Sequence, residues 1–307
     1  MSSARSKDRD VTRTRVIAAL PLIGVLVSFA ILYRDVIAKL VFDWEHDDNY
    51  SHGFLIVPIA LYFAWERRQQ LLAALRQPSA LGLVVLLGSI VTLVAGILGA
   101  ELFLTRVSIV GVIAGGVLYV LGWQHLRILT LPIAFLLLMI PIPAIIFNQI
   151  AFPLQLQASR FGETALTLWG IPVLREGNVI VLANTTLEVA EACSGIRSLV
   201  SLLTLGIIYS YFTDQRQWVR VAVTLSTIPI AILSNGLRVA GIGVAAHYYG
   251  GEIATGFLHT FSGWVLFVVA FVFLFAVMRV IQALAPEHAP ERAAVAPGAR
   301  PANEIAI

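Results

Sequence analysis

Of 307 residues, 58% are hydrophobic and 13% charged, and the mean hydropathy is +0.85, which leaves too little polar surface for a water-soluble globule of this length. The net charge of +3 and pI of 9.2 come without a basic stripe, so nucleic acid is excluded as a partner and the lipid bilayer is the solvent implied. One cysteine, Cys193, excludes an intramolecular disulfide.

The apolar residues fall in blocks of roughly 16 to 25, near the ~20 that a helix needs to cross a hydrocarbon core. Runs such as Leu83–Leu98 and Val265–Met278 are apolar on every face, whereas barrel strands are shorter and alternate in polarity. The expected class is therefore all-α, a polytopic transmembrane bundle.

In chain order, residues 1–15 form a basic N-terminus with Arg5, Lys7, Arg9, Arg13 and Arg15. The apolar stretch Val16–Tyr33 follows with no small-residue cleavage site, so it reads as an uncleaved first span. Further spans are expected near Tyr50–Trp65, Ala80–Ala100, Leu102–Trp123, Ile128–Phe147, Leu199–Phe212, Val221–Ala246 and Phe257–Met278, about eight in all within a transmembrane domain of residues 16–284. Lys and Arg gather in alternate loops, as the positive-inside rule requires. Arg67, Arg68 and Arg76, then Arg127, then Arg216 and Arg220 mark the cytoplasmic side together with both chain ends. The opposite loops are acidic, with Asp35, Asp43, Glu45, Asp47 and Asp48 in one and Glu163, Glu176, Glu188 and Glu191 in another.

The long connection at 148–192 is expected to carry structure of its own as an extracytoplasmic cap before the sixth span. Leu154–Trp169 has the mixed polarity of an interfacial helix. Ile171–Leu174 and Val179–Leu182 flank Arg175-Glu176-Gly177-Asn178 as a hairpin, and Leu187–Ala190 is a possible third strand. Residues 285–307, rich in Ala and Pro, read as a disordered cytoplasmic tail.

Cys193 lies where this polar segment turns into the apolar sixth span. A helix N-terminus there favours a thiolate through its free N–H groups and dipole, and Arg197, one turn on, adds a fixed positive charge. The bland alternative is an inert buried cysteine, with Arg197 reaching for the interface and Ser194 helping the helix to start. Arg238 lies inside an apolar span about 26 Å up from Val221, and His259 opens the last span from the same outer side. The three residues can meet at one depth. A thiolate, a proton-shuttling imidazole and a guanidinium facing an oxyanion suit acyl transfer through a thioester. Taken singly, Arg238 pairing with an acidic loop residue and His259 as an interfacial histidine remain open readings.

Ala192-Cys193-Ser194-Gly195-Ile196-Arg197-Ser198, then Asn235-Gly236-Leu237-Arg238, then His259, resemble the motif blocks of the exosortase and archaeosortase family of polytopic membrane transpeptidases. Asn49-Tyr50-Ser51-His52-Gly53-Phe54-Leu55 resembles the family's N-terminal motif, and the likeness runs through roughly residues 16–285. The resemblance implies a bacterial inner-membrane enzyme with Cys193, Arg238 and His259 as the catalytic set, and Ser194, Arg197, Asn235 and His52 as possible supporting residues. It also implies the substrates: secreted proteins ending in a Pro-Glu-Pro-like motif, one membrane helix and a basic tail, cleaved near the motif and passed to an unknown envelope acceptor. The further C-terminal exopolysaccharide-associated domain of some members has no counterpart here. For Tyr50, Ser51 and His52, lining a substrate groove and anchoring the second span are both open. No HExxH or paired-cysteine pattern occurs, so no metal or other cofactor is expected. The rival functions are a small transporter with Arg238 as an anion site and a non-enzymatic scaffold for envelope polymers.

Overall fold

In lipid the backbone must satisfy its own hydrogen bonds, so long apolar blocks fold as helices. The computed structural model bears this out over residues 2–183, 185–189, 196–250 and 257–285, with side chains described from residue 24 onward except those of Ile196 and residues 257–262. Cys193, Ser194 and most of the expected tail lie outside the described residues. Among those residues, helices Ala80–Leu98, Leu102–Val120, Gln217–Tyr249 and Gly263–Leu284 are each long and apolar enough to cross a membrane. The chain is a mostly helical, multi-pass membrane protein packed as two units, Met1–Leu154 and Gln155–Ile307.

The first unit holds α1 (Ser2–His46), α2 (Gly53–Glu66), α3 (Arg68–Ala73), α4 (Ala80–Leu98), α5 (Leu102–Val120), α6 (Trp123–Phe135) with a 3-10 turn over Leu136–Met139, and the start of α7 (Ala144–Leu168). Helices α4 and α5 form a close hairpin: a Cβ on Gly82 would come within 2.2 Å of the Tyr119 backbone nitrogen. The Glu101 side chain accepts a hydrogen bond from the Leu104 N–H at 3.1 Å and caps α5.

Polar side chains fasten α1 onto α5. Arg106, 2% exposed in its apolar helix, pairs with Asp43, which also takes Lys39 Nζ at 2.9 Å. Tyr33 Oη lies 3.1 Å from Ser108 Oγ. Burial works against ionisation of Asp43, yet hydrogen bonds and charge from Lys39 and Arg106 outweigh it and hold the carboxyl below its ordinary pKa.

One straight span over Ile128–Phe147 was the expectation, and the structure instead breaks the helix at Ile140-Pro141-Ile142-Pro143. Two prolines remove N–H donors and push their predecessors out of the helical region, so the chain turns by 83° between Trp123–Met139 and Ala144–Leu168. The expected interfacial helix from Leu154 is accordingly the later part of α7. Three side chains from 44–52 hold the break. Trp44 Nε1 donates to the Met139 carbonyl at 2.9 Å, His52 Nε2 donates to the Leu138 carbonyl at 3.1 Å, and Tyr50 Oη accepts from the Ile142 N–H at 3.2 Å.

The second unit comprises the rest of α7, an antiparallel sheet β1 (Val173–Glu176), β2 (Val179–Leu182) and β3 (Thr186–Glu188) in that order, then α8 (Ile196–Thr213), α9 (Gln217–Tyr249) and α10 (Phe257–Leu284). The expected hairpin is present, displaced by two residues at β1, where Glu176 pairs with Val179. Its turn is Gly177-Asn178, and Gly177 at φ +64° supplies the positive first position of a type II′ turn.

Helix α9 is the spine of this unit. Its first half joins α8 and α10 in one apolar core with Leu202, Val223, Ile230, Ala270 and Leu274. Its second half gives Val239 and Ala246 to a core with Ala158 and Leu166 of α7 and Ile180 and Leu182 of β2. At the α8–α9 connection the Asp214 carboxylate accepts from Arg216 Nη2 at 2.7 Å and Nε at 3.0 Å, and Arg216 Nη1 donates to the Ala285 carbonyl beyond α10. The Arg216 hydrogen bond leads the forces that pull the Asp214 pKa down to about 2.

Arginines assigned to the cytoplasmic side by the charge map lie over aromatic rings: Arg68 over Trp65, Arg127 over Trp123, Arg216 over Trp218, Arg220 over Tyr211 and Arg279 over Phe275. Such pairs suit a membrane boundary, where the ring sits at headgroup level and the cation reaches water.

Asp43→Ala strands a buried guanidinium and is expected to cost about 3–5 kcal/mol, read as a fall in the thermal unfolding midpoint in detergent. Adding Arg106→Met removes the stranded charge and recovers most of that loss; a double variant no better than Asp43→Ala contradicts the pairing. The Asp214 clasp has the opposite pH signature to a histidine pair. Its carboxyl is depressed in the folded protein, so its contribution is complete above its ordinary value of 3.8 and lost as pH falls through about 2. The stability gap between wild type and Asp214→Asn should therefore be present at neutral pH and close at the acid end; a gap of equal size at both refutes the clasp.

Candidate functional site

The sheet and α8 bracket the cysteine segment. Val189, just past β3, is 3% exposed in the α7–sheet–α9 core. Its N–H donates to the Asn178 carbonyl at 2.9 Å, and Asn178 Nδ2 donates to its carbonyl at 3.3 Å. A turn residue thus fixes the chain before it enters 190–195, and α8 takes it up at Ile196.

The packing of α8 on α9 sets the height of Arg238. Gly206 allows a close approach, since a Cβ there would meet Thr227 Cγ2 at 2.5 Å. From that crossing, the climb along α8 to Ile196 is about 15 Å and along α9 to Arg238 about 16 Å, at 1.5 Å per residue. Arg238 therefore stands level with the start of α8, three residues beyond Cys193 in sequence.

Helix α10 supplies the third wall. The half-buried Arg238 guanidinium lies against Gly263, where an added Cβ would be 3.8 Å from Nη2 and 4.0 Å from Cζ. Gly263 falls one helical turn after His259, whose backbone is in α10 and whose side chain is outside the described set. The structure thus brings Arg238, the start of α8 and the His259 turn of α10 to one end of a three-helix packing.

The supporting residues divide. Asn235, 3% exposed, lies one turn from Arg238 on α9, and Arg197 is exposed in the first turn of α8. His52 belongs to the first unit, where its ring is tied to the Leu138 carbonyl, the geometry of an anchor for the helix break. Among the described residues no group of three or more His, Cys, Asp or Glu side chains could hold a metal ion.

Reading the sequence passed over three features. Arg106 is an arginine in an apolar run, the same signal that drew attention to Arg238, but its partner Asp43 is 63 residues away and appears only in the fold. Gly263 lies four residues past His259, and only its contact with Arg238 in the fold marks it. Ser234, 1% exposed with no hydrogen-bond partner for its Oγ among the described residues, is buried one turn below Arg238.

Chemically, a guanidinium in an apolar helix offers N–H donors whose direction is fixed before any ligand arrives, and which low dielectric strengthens. A helix N-terminus at the same height adds the positive end of its dipole.

Comparison with curated proteins and with solved structures finds no match. The family described as Transmembrane exosortase (Exosortase_EpsH) matches residues 44–276, a range that takes in α2 to α9, the sheet, and most of α10. With that match over most of its length, the chain belongs to the transmembrane exosortase family.

Proposed function

We propose that the protein is a cysteine transpeptidase of the bacterial inner membrane that cleaves C-terminal sorting signals of Pro-Glu-Pro type from secreted proteins and transfers them to an envelope acceptor. The observation that carries the reading is the Arg238 guanidinium seated on α10 one turn from His259, level with the helix start that follows Cys193. Family membership supports sorting-signal processing as the role.

In this mechanism the Cys193 thiolate attacks the scissile carbonyl carbon, a C–S bond forms, and the carbonyl oxygen takes the negative charge. Arg238 donates N–H groups to that oxyanion. The tetrahedral intermediate collapses as the C–N bond breaks, with the leaving amine taking a proton from the His259 imidazolium. A thioester remains on Cys193. His259, now neutral, takes a proton from the acceptor nucleophile as it attacks, and the thiolate departs. The dipole of α8 and the charge of Arg197 favour the thiolate at both ends of the cycle.

The orientation follows the charge map. About eight crossings put both chain ends in the cytoplasm, with the sheet and the cysteine segment outside. Within each unit, arginine–aromatic pairs at helix ends support this reading: those of α2 and α6 in the first, and those of α8, α9 and α10 in the second. An outer site lies next to a substrate whose anchoring helix is still in the bilayer.

Cys193→Ala and Cys193→Ser are expected to abolish processing of a tagged protein bearing a sorting signal, while membrane insertion measured by fractionation is unchanged; normal processing by the alanine variant would sink the thiol mechanism. Arg238→Lys keeps the charge but loses the planar fork of donors, so kcat/KM should fall about 100-fold. A lysine variant within about threefold of wild type means that charge alone suffices and that no oriented donor is used.

A further inference from the structure

Several hydroxyls on these helices satisfy themselves in a regular way. Thr164, Thr167, Ser210, Thr213 and Ser226 each donate to a carbonyl three or four residues back, at 2.7 to 3.1 Å. That local bond is always within reach of a helical serine. Ser234 does not make it. Its Oγ is buried, in a residue 1% exposed, and has no partner among the described residues.

An unmet hydroxyl in an apolar interior carries the desolvation penalty of a lost hydrogen bond. Alanine at 234 would avoid that penalty and pack as easily. The position makes sense of the cost. Ser234 and Arg238 are i and i+4 on α9 and share one face. By the Gly206–Thr227 crossing, Ser234 lies about 10 Å up α9, close below the start of α8. On the other side Gly263 presents no side chain to the guanidinium, so the backbone of α10 comes up against it.

We propose that Ser234 is a substrate-binding residue whose buried hydroxyl takes its missing partner from a peptide carbonyl of the sorting signal, next to the one held by Arg238. This rests on the transpeptidase reading and extends it by a residue on the floor of the same site. The hydroxyl donates and the substrate carbonyl accepts, so a bond to protein is completed only when peptide is bound.

The test uses the full-length enzyme in detergent or liposomes with a sorting-signal peptide as substrate. Ser234→Ala should raise KM about fivefold, the worth of one neutral hydrogen bond, with kcat little changed. Its thermal midpoint should equal or exceed that of wild type, because no internal bond is lost. Ser234→Thr, which keeps the hydroxyl, should restore KM. Thr204 of α8 is also buried with an unpartnered hydroxyl but lies nearer the Gly206 crossing, and Thr204→Val should leave KM unchanged. An unchanged KM in Ser234→Ala, a fall in its thermal midpoint, or an equal KM rise in Thr204→Val each overturns the proposal. Cys193→Ala run alongside keeps the two ideas apart: processing without the thiol refutes the mechanism, while the KM series still reads whether Ser234 binds peptide.

Discussion

The length of α9 governs the second unit. At 33 residues it extends about 50 Å, well beyond a hydrocarbon core about 30 Å thick. A helix of that length is too long to be covered by lipid alone, so its second half needs a protein cover. The later half of α7 and the three-stranded sheet provide one by packing on Val239 and Ala246, while α8 and α10 enclose the first half. Arg238 lies at the changeover between these two coats. A cation there has helix neighbours on the membrane side and a protein cap beyond, which is where a charged group can be held rigidly without being sunk in hydrocarbon.

That placement bears on chemistry. Under the proposed function, a peptide substrate anchored by its own helix is delivered at fixed depth, and a site at the same depth replaces a three-dimensional search with a planar one. Donors that are already oriented then need little reorganisation as charge develops on the reacting carbonyl. The small residues of the bundle serve this arrangement. Gly206 brings α8 close enough to set the height of its first turn, and Gly263 brings α10 against the guanidinium.

Much of this was legible in residue order. Helical class, most helix positions, the hairpin at Gly177-Asn178 and the family likeness followed from apolar block length, turn chemistry and motif spacing. The break at Pro141 and Pro143 was not resolved, because hydropathy stays high through Leu136–Ile142 and the prolines weigh little in an apolar average. Arg106 and Asp43 illustrate a different limit. Each is visible as a charge, but their pairing depends on how α1 lies on α5, and no local pattern encodes that contact. Ser234 was invisible for a third reason: a serine in a helix usually bonds to its own backbone, and only the fold shows this one departing from that habit.

The thioester is the step on which the proposed chemistry turns. Intact-mass measurement of purified enzyme, quenched in acid during turnover of a sorting-signal peptide, reads it directly. The expected result is an adduct equal to the N-terminal peptide fragment less one water, mapped to Cys193 and released by hydroxylamine. Turnover with enzyme that carries no adduct at any time point, or an adduct on another residue, contradicts it.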